Sequence, residues 1–163
     1  MAITDDLTKA NERFAASFDK GELPMPPARS VAVVACMDAR LHPERFLGLD
    51  LGDAHVIRNA GGRADESALR SLIISQRLLG TREVLVIHHT DCGMLTFTND
   101  DLRGKLRSEG LNASEIDFLP FPDLEQSVRD DVRTIKDSPF IPDDISVRGF
   151  VYDVKTGKLA EVA

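Results

Sequence analysis

Residues 31–43 read VAVVACMDARLHP. The first six are small and apolar with no polar alternation, the pattern of a strand covered on both faces, and strands of that kind belong to parallel sheets. The run then breaks at Cys36 into Met37, Asp38, Ala39 and Arg40, which places a thiol, a carboxylate and a guanidinium within five residues. A buried strand does not ordinarily end this way, and the break marks a candidate site.

The same signature recurs downstream. EVLVIHH, residues 83–89, is apolar almost throughout and ends in His88, His89, Thr90, Asp91, Cys92 and Gly93. Between the two runs, AHVIRNA (54–60) reads as a second short strand leading into Gly61 and Gly62. Pro43 suits the first turn of a short helix in LHPERFLGL. DESALRSLIISQRLLG, from Asp65, spaces Leu69, Leu72, Ile73 and Leu79 for a helix that starts acidic and closes on Gly80. The order β, short α, β, long α, β predicts a mostly parallel central sheet flanked by helices, an α/β fold.

The flanks add an arm and a hairpin. Residues 4–18 carry Leu7, Ala10, Phe14 and Phe18 at helical spacing, and Gly21 with three following prolines stops them, so residues 1–25 read as an N-terminal helical arm. PDLEQSVRDDVRTIKDS spaces Leu124, Val128, Val132 and Ile135 for another helix, and SVRGFVYDVKTGKLAEV turns through Lys155, Thr156 and Gly157 as a C-terminal hairpin. Residues 98–121 are the least regular part, readable as a loop, a short helix or a lid. With 163 residues, the expectation is one domain over residues 1–163.

Composition excludes several classes. The charged fraction of 29% and hydrophobic fraction of 42% are ordinary for a globular domain. A net charge of −7 with scattered basic residues argues against nucleic acid as a partner. The acidic opening MAITDDLTKANERF has no apolar core, so neither a secretory signal nor a membrane span is expected, and a cytoplasmic location follows. In that reducing setting the two cysteines, Cys36 and Cys92, are expected to be free thiols.

Groups at the carboxyl ends of neighbouring parallel strands converge on one crevice. Cys36, Asp38 and Arg40 follow one strand there, and His88, His89 and Cys92 follow another. Two thiolates and an imidazole suit Zn²⁺, and three protein ligands leave a fourth position open. Each residue alone also has an ordinary structural reading: a buried cysteine, a packed histidine, a solvated ion pair. Their joint placement lifts the metal reading and leaves the structural one open beside it. A phosphatase loop needs five residues between cysteine and arginine, and Cys36 and Arg40 have three; no C-x-x-C pair is present for redox work.

Three motifs in order, Cys36-x-Asp38-x-Arg40, Arg58-Asn59-Ala60-Gly61-Gly62 and His89-x-x-Cys92-Gly93, resemble the β-class carbonic anhydrase family, and residues 75–94, SQRLLGTREVLVIHHTDCGM, are similar to it throughout. The resemblance implies one Zn²⁺ per subunit on Cys36, His89 and Cys92, with His88 left as a packing residue. It implies reversible hydration of carbon dioxide to bicarbonate and a proton, the chemistry of a zinc lyase, with Asp38 orienting the attacking hydroxide and Arg40 holding Asp38 in a forked pair. Gly61 and Gly62 are implied on the substrate side. Some members close by moving Asp38 onto the metal as a fourth ligand. The same motifs occur in the family's carbonyl sulfide hydrolase branch, so that substrate remains an alternative, and a non-catalytic zinc domain permanently closed by Asp38 is a remoter one. The family forms dimers or larger assemblies, which implies a homodimer or homotetramer, with the arm at 4–18 similar to its exchanged helix. The chain has no tryptophan, so the bicarbonate pocket that some members build around that residue is not expected.

Overall fold

The computed structural model describes residues 2–163. Its elements in chain order are α1 (Ile3–Ala15), β1 (Val31–Cys36), α2 (Pro43–Phe46), β2 (Ala54–Asn59), α3 (Glu66–Leu79), β3 (Glu83–His89), α4 (Asn99–Ser108), α5 (Leu124–Lys136), β4 (Ser146–Tyr152) and β5 (Leu159–Glu161). The five strands form one sheet in the order β2-β1-β3-β4-β5, parallel except for β5, which returns antiparallel along β4 as the second arm of the hairpin.

β1 is covered on both faces, as its unbroken apolar run requires. Ala32 and Val34 face α3 and α5, in a core shared with Leu72, Val86, Val128 and Ile135. Val33 and Ala35 face the other way, against Phe46, Leu47 and Leu49 of α2 and the loop after it. The two long helices therefore lie on one face, while a four-residue helix and its loop cover the other. Local signals set the ends of α3: the Asp65 side chain accepts from the Ala68 amide at 2.7 Å, and Gly80 closes the helix at φ 77°.

The chain leaves β1 toward β2 on one side and β3 toward β4 on the other, which opens a crevice at the carboxyl ends of β1 and β3. Pairing puts Cys36 beside Asn59 and Ala35 beside Ile87, so the last residues of both strands reach that edge together. Residues 98–121 resolve into α4, capped by Thr98 and Asp101, and an irregular segment that returns to the crevice at Phe121. α1 forms where its periodicity predicts, but residues 2–26 are all exposed, including Leu7 and Phe14.

Candidate metal centre

Cys36 ends β1, His89 ends β3, and Cys92 follows after a turn in which Asp91 takes a left-handed backbone, φ 56°. All three side chains are buried. Their donor atoms lie within 4.8 Å of one another, with the two sulfurs 4.0 Å apart. Two sulfurs bound at about 2.3 Å to a tetrahedral ion would stand roughly 3.8 Å apart, so the cluster has the size a zinc ion needs. Sulfurs at 4.0 Å are also unbonded, and both thiols are free as expected.

His89 supplies the most direct sign that the cluster is built for a cation. Its Nδ1 lies 2.9 Å from the Thr90 carbonyl, which can only accept, so the proton sits on Nδ1. Nε2 is then a bare lone pair, and it is a buried nitrogen with no hydrogen-bond partner. Leaving such a group unsatisfied is costly, and a metal ion is the partner that satisfies it without a proton. The sulfurs add charge. The Cys92 thiol beside it lowers Cys36 below the ordinary thiol range, against the effect of burial and with help from the Asp38 and Gly61 amides, while the neighbouring Cys36 pushes Cys92 up.

Beside the cluster, Arg40 grips Asp38 in a fork, Nε to Oδ1 at 2.9 Å and Nη2 to Oδ2 at 2.8 Å. The guanidinium holds the Asp38 carboxyl well below the usual carboxylate range, so it acts only as an acceptor. Asp38 Oδ2 stands 3.8 Å from His89 Nε2, at the edge of the donor set. The structure thus brings Cys36, Asp38, Arg40, His89 and Cys92 together, and sends His88 to the opposite face of β3, where it packs in the interior.

Residues 31–115 match the carbonic anhydrase family. Over 162 residues the chain is 51% identical to beta-carbonic anhydrase 1 of Mycobacterium tuberculosis, covering 99% of each. The chain belongs to the β-carbonic anhydrase family. Its structure superposes on that of a carbonic anhydrase from Streptococcus mutans with a TM-score of 0.95 at 49% identity, covering 100% of this chain and 99% of the other. A carbon disulfide hydrolase from an Acidianus species is more distant, 33% identical over 179 residues, covering 95% of this chain and 86% of that one.

Within this member of the family, the Arg58-to-Gly62 motif lies at the back of the site. Arg58 donates to the Cys36 carbonyl at 3.0 and 2.9 Å and to the Asp38 carbonyl at 2.7 Å, fixing the backbone on both sides of Met37. The Gly61 amide faces the Cys36 sulfur, and Gly62 packs on the backbone between β1 and β3. A cavity of about 400 Å³ opens on the other flank, lined by Leu95, Phe97, Pro120 and Phe121.

Two features escaped the sequence reading. Asp91 accepts from Arg40 Nη1 at 2.7 Å, so the guanidinium carries two carboxylates rather than one. An acidic residue inside the His-x-x-Cys spacer was the available signal. Behind the site, His88, Asp131 and Arg63 form a buried polar group that no local pattern announces.

Proposed function

We propose that Cys36, His89 and Cys92 hold one zinc ion per subunit and that the chain catalyses reversible hydration of carbon dioxide to bicarbonate and a proton. The observation that carries this reading is the unpartnered His89 Nε2, buried beside two free thiols, with an ionised Asp38 at its edge. Zinc bound there would lower the pKa of a coordinated water from 15.7 to about 7, supplying hydroxide at neutral pH. Asp38, with both oxygens engaged by Arg40, still has lone pairs to accept a hydrogen bond from the attacking oxygen and so aim its free lone pair at carbon. Arg40 keeps that carboxylate ionised and turned from the sulfurs. Gly61 and Gly62 shape the Cys36 side of the site. Asp38 paired with Arg40 leaves the fourth position to solvent and substrate, which supports an enzyme over a permanently closed zinc domain.

The test is stopped-flow carbon dioxide hydration beside sulfide release from carbonyl sulfide and carbon disulfide, on one zinc-loaded sample. Hydration orders of magnitude faster than sulfide release is expected. Efficient sulfide release with feeble hydration would move the substrate to the hydrolase branch, a reading favoured only by the more distant hydrolase relatives, and would leave the metal ligands unchanged.

We further propose that residues 1–163 act as one cytoplasmic domain, with residues 1–25 as its arm, in a homodimer or homotetramer. Free buried thiols fit a reducing compartment. Among the described residues, no helix is long and apolar enough to cross a membrane. A 13-residue helix is marginal in water on its own, and α1 leaves Ile3, Leu7 and Phe14 exposed, so a second copy is the natural cover. Substituting Leu7→Asp and Phe14→Asp together leaves the buried core untouched and removes only the exposed Phe14–Phe18 ring contact, centroids 5.4 Å apart, within the arm. The expected result in analytical ultracentrifugation is a smaller species than wild type with an unchanged circular dichroism spectrum; an unchanged sedimentation coefficient would remove the arm from the interface.

A further inference from the structure

The buried polar group behind the cluster has connections that the fold alone does not explain. Arg63 forks onto Asp131, Nε to Oδ2 at 2.8 Å and Nη2 to Oδ1 at 3.3 Å. His88, fully buried, sets Nε2 3.1 Å from Asp131 Oδ2 and 3.2 Å from the Gly62 carbonyl, and Nδ1 2.7 Å from Ser127 Oγ. A buried ion pair adds little net stability over apolar packing, so its placement is more informative than its strength.

Two arms of this group lead to the walls of the Cys36–His89–Cys92 cluster. Through His88 it holds Gly62, whose Cα lies so close to the Cys36 amide that an added Cβ would fall 2.8 Å from that nitrogen. Asn59 clamps the same turn from the other side, accepting from the Arg63 amide at 2.7 Å and donating to its carbonyl at 2.8 Å. Arg63 Nη1 donates to the Leu119 carbonyl at 2.8 Å, steadying a residue held at φ 56°, a conformation leucine rarely adopts. Two residues on, the Phe121 ring stacks on His88 at 5.3 Å and receives the Arg63 guanidinium at 5.3 Å. Phe121 belongs to the apolar cluster that surrounds Cys36 and Cys92.

We propose that Asp131 is a positioning residue for the metal centre, acting through His88 and Arg63 to hold the Gly61–Gly62 turn against Cys36 and Phe121 in the wall around the two cysteines. α5 thereby sets the geometry of ligands borne by β1 and β3. The role rests on the zinc reading, and it touches neither substrate nor metal. Outer partners of this kind typically contribute about 10- to 100-fold to metal affinity or activity.

The test is Asp131→Asn, which keeps size and one acceptor and removes the charge. Zinc affinity is measured by competition with a chromophoric chelator, and the cobalt(II)-substituted protein is followed through its sulfur-to-cobalt charge-transfer absorption. The expected result is zinc binding weakened about tenfold or more, with that absorption displaced from wild type. Arg148→Gln, which breaks the exposed Arg148–Glu161 pair on β4 and β5, serves as the control for altered stability alone and is expected to bind zinc as wild type does. Wild-type affinity and an unmoved cobalt band in Asp131→Asn overturn the proposal. Should that variant fail to fold, Arg63→Lys keeps a cation near Asp131 but loses the fork and the reach to Leu119; weakened zinc binding there supports the role, and wild-type binding overturns it. A wild-type chain that takes up no zinc overturns the zinc reading itself and is told apart by that result.

Discussion

Replacing Asp38 by asparagine is expected to leave zinc bound at one per subunit and to lower kcat/KM for carbon dioxide by about 10²-fold or more, the scale of effect that follows when a nucleophile is misaimed. The three donors are untouched by the change, so metal content holds. What changes is polarity at one edge of the site. Asp38 presents two acceptor oxygens, and Arg40 uses both, through Nε at 2.9 Å and Nη2 at 2.8 Å. Asparagine can offer only one. If its oxygen stays on Nε, its amide nitrogen faces Nη2, donor against donor; if it flips, the other bond is lost. The flipped orientation also sets the amide against the Arg40 backbone N–H, which donates to Oδ1 at 2.9 Å, so the first orientation prevails and a donor stands where an acceptor stood 3.8 Å from His89 Nε2. A donor there engages the oxygen lone pair that must attack carbon. Arg40 remains held by Asp91 through Nη1 at 2.7 Å and through the Asp91 carbonyl at 2.9 Å, so the loop stays in place and the loss is chemical rather than structural. Stopped-flow hydration with zinc content measured on the same sample checks this. Near-wild-type turnover in the asparagine variant would remove Asp38 from the mechanism.

The parts of the site that were legible in the sequence are those tied to strand ends. Unbroken apolar runs at 31–36 and 83–89 fix two neighbouring interior strands, and the rule that parallel strands deliver their last residues to one edge then brings Cys36 and His89 together across a long separation. α3 was equally plain because Asp65 and Gly80 cap an amphipathic run. α4 was not, since its helix is held by the Thr98–Asp101 cap and charged side chains, and it buries no residue that would give a period. The choice between His88 and His89 could not be made from alternation alone; both are buried, one against α5 and one against the sulfurs. The Asp131–His88–Arg63 group joins three elements distant in sequence, and ionic partners of that kind leave no periodic trace. Nor does a spacing pattern reveal that Arg58 and Gly62 lie against backbone atoms of the strand ends.

Gly62→Ala is expected to be the most destabilising single-methyl change near the site, and Gly80→Ala separates its two causes. Both glycines have left-handed backbones, φ 68° and 77°. At Gly80 nothing lies within 4 Å of an added Cβ, so the cost is conformational alone, about 1 kcal/mol. At Gly62 the Cβ meets Cys36 N at 2.8 Å, Ala35 C at 3.0 Å and Ile87 O at 3.0 Å. All three are backbone atoms of β1 and β3, the central pair of the sheet, and no side chain can rotate to make room. Overpacking of that kind adds about 1–3 kcal/mol, for a total of roughly 3 kcal/mol. In a chain of this length each kcal/mol lowers Tm by about 2–4 °C, so a fall of roughly 10 °C is expected for Gly62→Ala against about 3 °C for Gly80→Ala. Equal shifts would mean that the strands part without cost. The larger shift carries a functional consequence, because the atoms that must move include the amide of Cys36 itself and the turn whose carbonyl faces His88. Zinc affinity should therefore fall in the Gly62 variant and hold in the Gly80 variant, which would tie the close approach of two strands to the geometry of the proposed zinc ligands they carry.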